Sequence, residues 1–239
     1  MAGRFHSLRV RIHSRRTFLR RGSAAVTGLM LGACDQRGGD IAEPTGQRAS
    51  QCPISTNEEF YAVWYRGGPG DVDLDSWRLS IQRNGVEQLS LDWGFVSSLE
   101  PEEVELTLQC IESRPGLERM NNALWKGRSL SSVLEQAGAE LEGGSYIRFA
   151  CADGYSLALP VEDLARPIWL LWTMNGEALP LAHGYPLRAI IPGRMGWMNP
   201  KQLIEIDVID DPYELPWLDE LMSWLEAEGL TMDTGERSM

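Results

Sequence analysis

The sequence predicts an α+β fold of mixed short strands and helices. Three observations carry this expectation. Short runs of alternating apolar and polar residues recur between positions 77 and 209. Asn-Gly and Asp-Gly pairs punctuate them, as tight turns require. Helical spacing is confined to two stretches, and strands do not alternate with helices as parallel βαβ units would demand.

The elements follow in order. Trp77, Leu79 and Ile81 alternate with Arg78, Ser80 and Gln82, as in a half-buried strand. Asn84-Gly85 is a hairpin signal, and Val86–Leu91 is the return strand. Val104, Leu106, Leu108 and Cys110 share one face of the next strand, opposite Glu103, Glu105, Thr107 and Gln109. Ser129–Ala137 reads as a helix, with Leu130, Val133 and Leu134 at helical spacing and Gly138 as its stop. Tyr146–Cys151 is a strand closed by the Asp153-Gly154 turn. Ile168–Trp172 is a buried strand before the Asn175-Gly176 turn. Arg188–Ile191 and Leu203–Ile209 are the last strands, and Glu214–Glu228 is an acidic amphipathic helix. Gly67-Gly68-Pro69-Gly70 neither follows a strand nor opens a helix, so it is a loop and not a nucleotide fingerprint.

Composition narrows the function. Of 239 residues 43% are apolar and 23% charged, an ordinary globular balance. The formal charge of −12 argues against a nucleic-acid partner, because phosphate binding needs a basic face. The four cysteines form no CxxC pair that would hold structural zinc.

The first 33 residues carry seven arginines and no acid. Ser14-Arg15-Arg16-Thr17-Phe18-Leu19-Arg20 fits a twin-arginine export signal. The apolar run Gly22–Ala33 is shorter than the ~20 residues of a bilayer span and reads as a signal core. Leu31-Gly32-Ala33-Cys34 looks like a lipoprotein box, which would make Cys34 the lipidated residue. Fatty chains contribute roughly 0.8 kcal/mol per buried CH₂ and would tether the chain to a membrane. Asp35 would favour the inner membrane. The expected location is therefore periplasmic and lipid-anchored. Twin-arginine export carries folded proteins, many of them loaded with a redox cofactor beforehand.

The expected organisation is a leader at 1–33, a Gly-, Gln- and Ser-rich tether at 34–56, a globular body at 57–211, and an acidic helix and tail at 212–239. Without the leader's arginines the chain has 15 basic and 34 acidic residues, or −19. His6 and His13 fall in the leader, leaving His183 as the one histidine, too few for a multi-histidine metal site.

Cys110 is the candidate reactive residue. By type alone it is a small buried hydrophobe. Its position differs: Ile111-Glu112-Ser113-Arg114-Pro115-Gly116 breaks the strand, so the sulfur stands at a loop mouth, where sites are built.

Five blocks in order carry a resemblance: LQCIES at Leu108–Ser113, NNALWKG at Asn121–Gly127, CADGYS at Cys151–Ser156, MNGEALPLAHGYPLRAIIPG at Met174–Gly193 and MGWMNPKQL at Met195–Leu203. Over residues 57–210 the chain resembles the sulfite oxidase-like family of molybdopterin-dependent oxidoreductases. The resemblance implies a sulfite oxidase-type molybdopterin-binding fold, an enzyme, and a molybdenum-molybdopterin cofactor. It implies Cys110 as the protein's metal ligand, a role suited to a soft thiolate. It implies His183 and Arg188 on the pterin and its phosphate, and Gly196, Trp197, Met198 and Lys201 in a loop closing over that phosphate. It further implies backbone contacts from Tyr61 and Ala62, a small polar contact from Cys151, and Tyr155 hydrogen-bonding near the metal.

The first block departs from the family. Phe60-Tyr61-Ala62-Val63-Trp64-Tyr65 lacks the Arg, Asn and His usual there. That weakens sulfite as substrate and leaves Arg114, Arg119 and Arg66 to meet an anion. Trp64, Trp93, Trp125 and Trp197 point to a more apolar pocket. The chain shows no haem motif, so a separate c-type cytochrome or membrane haem subunit is expected to exchange its electrons, and a monomer is expected. The leading expectation is oxygen-atom transfer on a small sulfur or nitrogen compound. The alternatives are a non-catalytic binding protein of the same fold and a redox thiol pairing Cys110 with Cys52 or Cys151.

Overall fold

The computed structural model describes residues 11–12, 53–64, 70–110, 119–139, 143–161, 167–211, 223, 227 and 232–233. The chain divides into two compact units, 1–31 with 214–239, and 32–213. In the first, β1 (Arg11–Ile12) pairs antiparallel with β12 (Met232–Asp233). The predicted helix Glu214–Glu228 lies almost entirely outside the described residues, as do Cys34 and the twin-arginine motif. No helix among the described residues is long and apolar enough to cross a membrane.

The second unit holds two five-stranded sheets. One runs β3 (Val86–Asp92), β2 (Arg78–Arg83), β11 (Leu203–Ile209), β6 (Tyr146–Cys151), β7 (Ser156–Pro160). Here β2 and β11 are parallel and the other pairs antiparallel. The predicted Asn84-Gly85 hairpin joins β2 to β3, both residues at positive φ. The other sheet runs β10 (Arg188–Ile190), β8 (Trp169–Met174), β5 (Met120–Ser129), β4 (Glu102–Gln109), with β9 (Glu177–Ala178) folded back on β8. Its pairs are all antiparallel.

Among the described residues the unit also has two short α-helices. In α1 (Trp93–Ser98) the Asp92 carboxylate accepts the Phe95 N–H at 2.7 Å and caps the first turn. In α2 (Leu130–Gln136) Ser129 caps the start, and Leu130, Val133 and Leu134 are the buried face. Gly138 follows at φ 67, where a side chain would be strained.

Among the elements that escaped the sequence reading are α1, β5 and β7. The strand β5 is central in its sheet and buries side chains on both faces, so it shows no clean alternation. Its Gly127 is required by close approach, because a Cβ there would overlap the Leu170 carbonyl of β8. Ordered structure also begins before residue 57. Ile54 bridges to Asn122, and the Ser55 N–H donates to the Asn122 carbonyl at 2.8 Å.

The apolar core of the second sheet gathers Phe60, Leu108, Trp125, Leu171, Met174 and Ile190. Phe60 packs edge-on against both Trp125 and His183. This places the segment after Phe60 beside the ends of β4 and β10.

Candidate active site

Four strand ends converge. Cys110 directly follows β4, Cys151 ends β6, Arg188 opens β10 and Lys201 precedes β11. Backbone bonds lace the connections together: Ala189 N–H to the Pro200 carbonyl at 2.9 Å, Leu203 N–H to Leu187 at 2.9 Å and Ala152 N–H to Gln202 at 3.0 Å.

Cys110 is buried, and its N–H donates to the Arg119 carbonyl at 2.8 Å. That bond continues the β4–β5 ladder by one rung and brings Arg119 beside the cysteine. Arg114 and Arg66 lie outside the described residues. Cys110 and Cys151 are both thiols outside any disulfide, and Cys52 is outside the described residues. Burial, then the nearby Asp153 carboxylate, push the Cys151 thiol well up, so it is neutral. The backbone N–H of Lys201 bonds to Cys151.

Arg188 is 3% exposed, and among the described residues no carboxylate pairs with it. One guanidinium nitrogen donates to the His183 carbonyl at 3.0 Å, and the group lies 5.0 Å from the Trp125 ring centre. Its Nε has no partner. Burial lowers its pKa to about 10. A buried cation with an orphaned donor is costly unless a ligand completes it.

Lys201 presents a second cation. Its Nζ lies 3.8 Å from the Trp64 ring centre and donates to the Val63 carbonyl. Burial, and then repulsion from Arg188, bring its pKa down to about 7. Two cations held in mutual repulsion at one place make a receptor for an anion.

Tyr61 has both the Cys110 sulfur and the Arg188 guanidinium within electrostatic reach. Burial first, then Cys110, raise its phenol well above the ordinary value, and Arg188 opposes them. Its hydroxyl is buried without a partner. Its backbone N–H is already taken by Asn121 Oδ1 at 3.0 Å, so the expected backbone contact is limited to its carbonyl. Ala62 is exposed.

His183 is buried, and its Nε2 lies 2.7 Å from the Asn57 carbonyl. A carbonyl accepts, so Nε2 carries the proton and that ring nitrogen is occupied by protein. Burial lowers its pKa below the usual histidine value, so it is neutral at pH 7. Tyr155 donates its hydroxyl to the Trp197 carbonyl, and burial raises it well above the ordinary value. Gly196–Met198 form a 3-10 turn, with Met198 buried.

The sequence reading missed two residues that shape this turn. Asn199 is 3% exposed, accepts the Ile191 N–H at 2.7 Å and donates to the Met195 carbonyl at 2.7 Å. An Asn-Pro pair inside the last block was its signal. Gln202 is buried at φ 50, a conformation with no sequence signal at a non-glycine residue.

The residues present fit a pterin cofactor with a soft-ligated metal. A buried thiol, two orphaned buried donors on Tyr61 and Arg188, and a cation pair suited to a phosphate surround one place. Among the described residues no cluster of three His, Cys, Asp or Glu could hold a metal alone.

The chain's similarities agree. It is 29% identical over 202 residues to the sulfite oxidase of Gallus gallus, covering 74% of this chain and 44% of that protein. It is 30% identical over 139 residues to the oxidoreductase YuiH of Bacillus subtilis, covering 56% of this chain and 68% of that protein. The chain thus spans under half the length of the sulfite oxidase. The fold resembles the sulfane dehydrogenase SoxCD of Paracoccus pantotrophus, with a TM-score of 0.53 at 23% identity, covering 60% of this chain and 41% of that one. The sequence profile of the oxidoreductase molybdopterin binding domain matches residues 66–217. This chain is a member of that family, a sulfite oxidase-like molybdopterin oxidoreductase.

Proposed function

We propose that this oxidoreductase moves an oxygen atom to or from a small sulfur or nitrogen compound, with molybdenum-molybdopterin held on Cys110. The observation that carries the reading is the unpartnered, buried Tyr61 hydroxyl, which has both Cys110 and Arg188 within electrostatic reach. When bound, the molybdenum supplies oxygen-atom transfer coupled to two electrons.

The chain's own groups do the rest. Cys110 donates its thiolate sulfur to the metal. Arg188 gives its orphaned Nε to the cofactor and Lys201 its ammonium to the phosphate. Gly196 lets the turn approach closely, and Asn199 holds that turn's backbone in place. The surrounding apolar core keeps water away, which strengthens each of these contacts.

The first block supports a neutral substrate over a dianion. Where the family places an arginine, this chain has Val63, half exposed, and Trp64 engaged with Lys201. Sulfoxides and N-oxides fit that reading better than sulfite does. Arg119, whose carbonyl accepts the Cys110 N–H, is the described candidate among the expected arginines to meet the substrate's oxygen. The acidic surface suits a basic c-type cytochrome as electron partner. Export by the twin-arginine route and lipidation of Cys34 belong to the same proposal and rest on the N-terminal sequence.

The test is metal analysis with electron paramagnetic resonance on protein from a cofactor-competent host, followed by turnover of sulfite, sulfoxides and N-oxides. About one molybdenum per chain and turnover of an oxide support the reading. Molybdenum below a few per cent would favour the non-catalytic binding protein.

A further inference from the structure

Gln202 is the strained hub of the phosphate end of the site. It is 1% exposed and adopts φ 50, where a side chain crowds its own backbone and glycine is the natural choice. A glutamine there must return something for that strain. Its amide closes a ring of two hydrogen bonds on one backbone position: Nε2 donates to the Gly70 carbonyl at 2.9 Å, and the Gly70 N–H donates to Oε1 at 3.3 Å. Its backbone N–H donates to the Gly184 carbonyl at 3.2 Å, and its own carbonyl accepts the Ala152 N–H at 3.0 Å. Its contacts thus reach Gly184 next to His183, Ala152 next to Cys151, and Gly70.

Its chain neighbour Lys201 makes the complementary contacts. The ammonium holds Val63 and Trp64, while the Lys201 N–H bonds to Cys151. Two consecutive residues therefore fasten both Val63-Trp64 and Gly70 to the start of β11. Gly184 presses on the same lysine: a Cβ at 184 would lie 2.9 Å from the Lys201 Cβ. The lysine is held from its backbone, its stem and its tip.

We propose that Gln202 is a positioning residue for Lys201: its amide ring with Gly70, made from a left-handed backbone, keeps Trp64 and Val63 over the ammonium and aims that ammonium at an anionic ligand. This deepens the proposed function by naming what holds the phosphate cation in place, and it rests on that reading. Gln202 itself does not touch the ligand.

The chain has two lysines, Lys126 and Lys201, which makes the test direct. Lys126 is on β5, with its ammonium 3.5 Å from Glu103. Reductive ¹³C-methylation of the purified protein gives one NMR signal from each, with Lys126 as internal reference. In the unsubstituted protein the Lys201 signal should carry an upfield shift from the Trp64 ring and titrate near pH 7.

Gln202→Gly relieves the backbone strain and removes the amide ring. The expected result is a folded protein whose Lys201 signal loses the ring shift and titrates about one pH unit or more higher, toward an ordinary lysine. Inorganic phosphate binding, read on the same signal, weakens several-fold while Lys126 stays put. An unchanged Lys201 midpoint, ring shift and phosphate affinity would overturn the proposal. A purely structural role would lower the melting temperature and leave the lysine signal alone. If Gln202→Gly fails to fold, Gly70→Pro removes one bond of the ring from the exposed side, and the same two outcomes apply. A protein without molybdenum would sink the proposed function, while the lysine signals would still decide this inference.

Discussion

Gly196 lies directly against the Tyr61 phenol: a Cβ at 196 would overlap the hydroxyl oxygen, and it would also stand 3.3 Å from the Gln109 carbonyl. The Gly196–Met198 turn thus touches both the residue before Cys110 and the orphaned Tyr61 hydroxyl. Gly196→Ala should cost about 1–3 kcal/mol, as overpacking does. Most of that cost should vanish in a Tyr61→Phe background, which removes the crowded oxygen. Urea unfolding of the four proteins in the cycle measures the coupling, and additive effects would mean that the two residues do not meet.

Cys110→Ser replaces the soft sulfur by a hard oxygen of similar size at a buried position. The protein should fold and keep most of its pterin, because Arg188 and Lys201 are untouched. Turnover should be lost and the molybdenum resonance signal altered. Retained turnover in this variant would remove Cys110 from the metal.

The sequence made part of this legible. The strands β6 and β11 were readable residue for residue: β6 alternates fully and half-buried positions, and β11 carries the β-branched run Ile204, Ile206, Val208 and Ile209. Cys110, Arg188 and Lys201 stood out through the family resemblance of the blocks that hold them, Lys201 also as one of two lysines. The strand β5 did not, since its buried Asn122 reads as polar. In the structure that amide is satisfied by Thr107 at 3.0 Å and Glu105 at 2.6 Å across the β4 ladder. Such compensation is invisible in a linear pattern. The same holds for His183, whose ring nitrogen binds Asn57 at a separation of 126 residues. Gln202 was silent because a left-handed backbone has no signature at glutamine.

Lys201 makes anion binding depend on pH. Its pKa is about 7 before an anion arrives, and a phosphate raises it by favouring the charged form. Above pH 7 the lysine must gain a proton to bind, so affinity should fall as pH rises, by up to ~10-fold per unit. Titration calorimetry in two buffers of different ionisation enthalpy should show proton uptake at pH 8. Lys201→Arg should abolish the uptake. Equal heats in the two buffers for the unsubstituted protein would show that Lys201 is already charged.

Arg148 bridges two carboxylates on β11, Glu205 and Asp207, the latter at 3.0 Å. The Asp207 side chain is 2% exposed and also accepts the Gly85 N–H at 3.0 Å. Arg148→Met leaves a buried carboxylate without its cation and should cost about 3–5 kcal/mol of unfolding free energy. The double variant Arg148→Met, Asp207→Asn should recover a large part of it. A loss under 1 kcal/mol in the single variant would mean that water already reaches Asp207.

His183 should set how stability responds to mild acid. Burial holds its folded pKa below the unfolded value near 6.5, so the native state resists taking the proton. The unfolded state binds more protons in that window, and stability therefore rises with pH across it. The contribution is complete above about pH 6.5 and is lost as pH falls toward the folded value, at up to ~1.4 kcal/mol per unit. With residues 1–33 removed the chain has no other histidine, and ordinary carboxylates titrate lower, though Lys201 at about 7 still shares the upper end of the window. His183→Gln can still donate toward the Asn57 carbonyl without carrying a charge, so the difference between the two proteins isolates His183. The variant's melting temperature should decline less from about pH 6.5 to 5.5 than the unsubstituted protein's. Parallel declines in both proteins would place the acid sensitivity elsewhere and leave His183 exposed to solvent in the folded state.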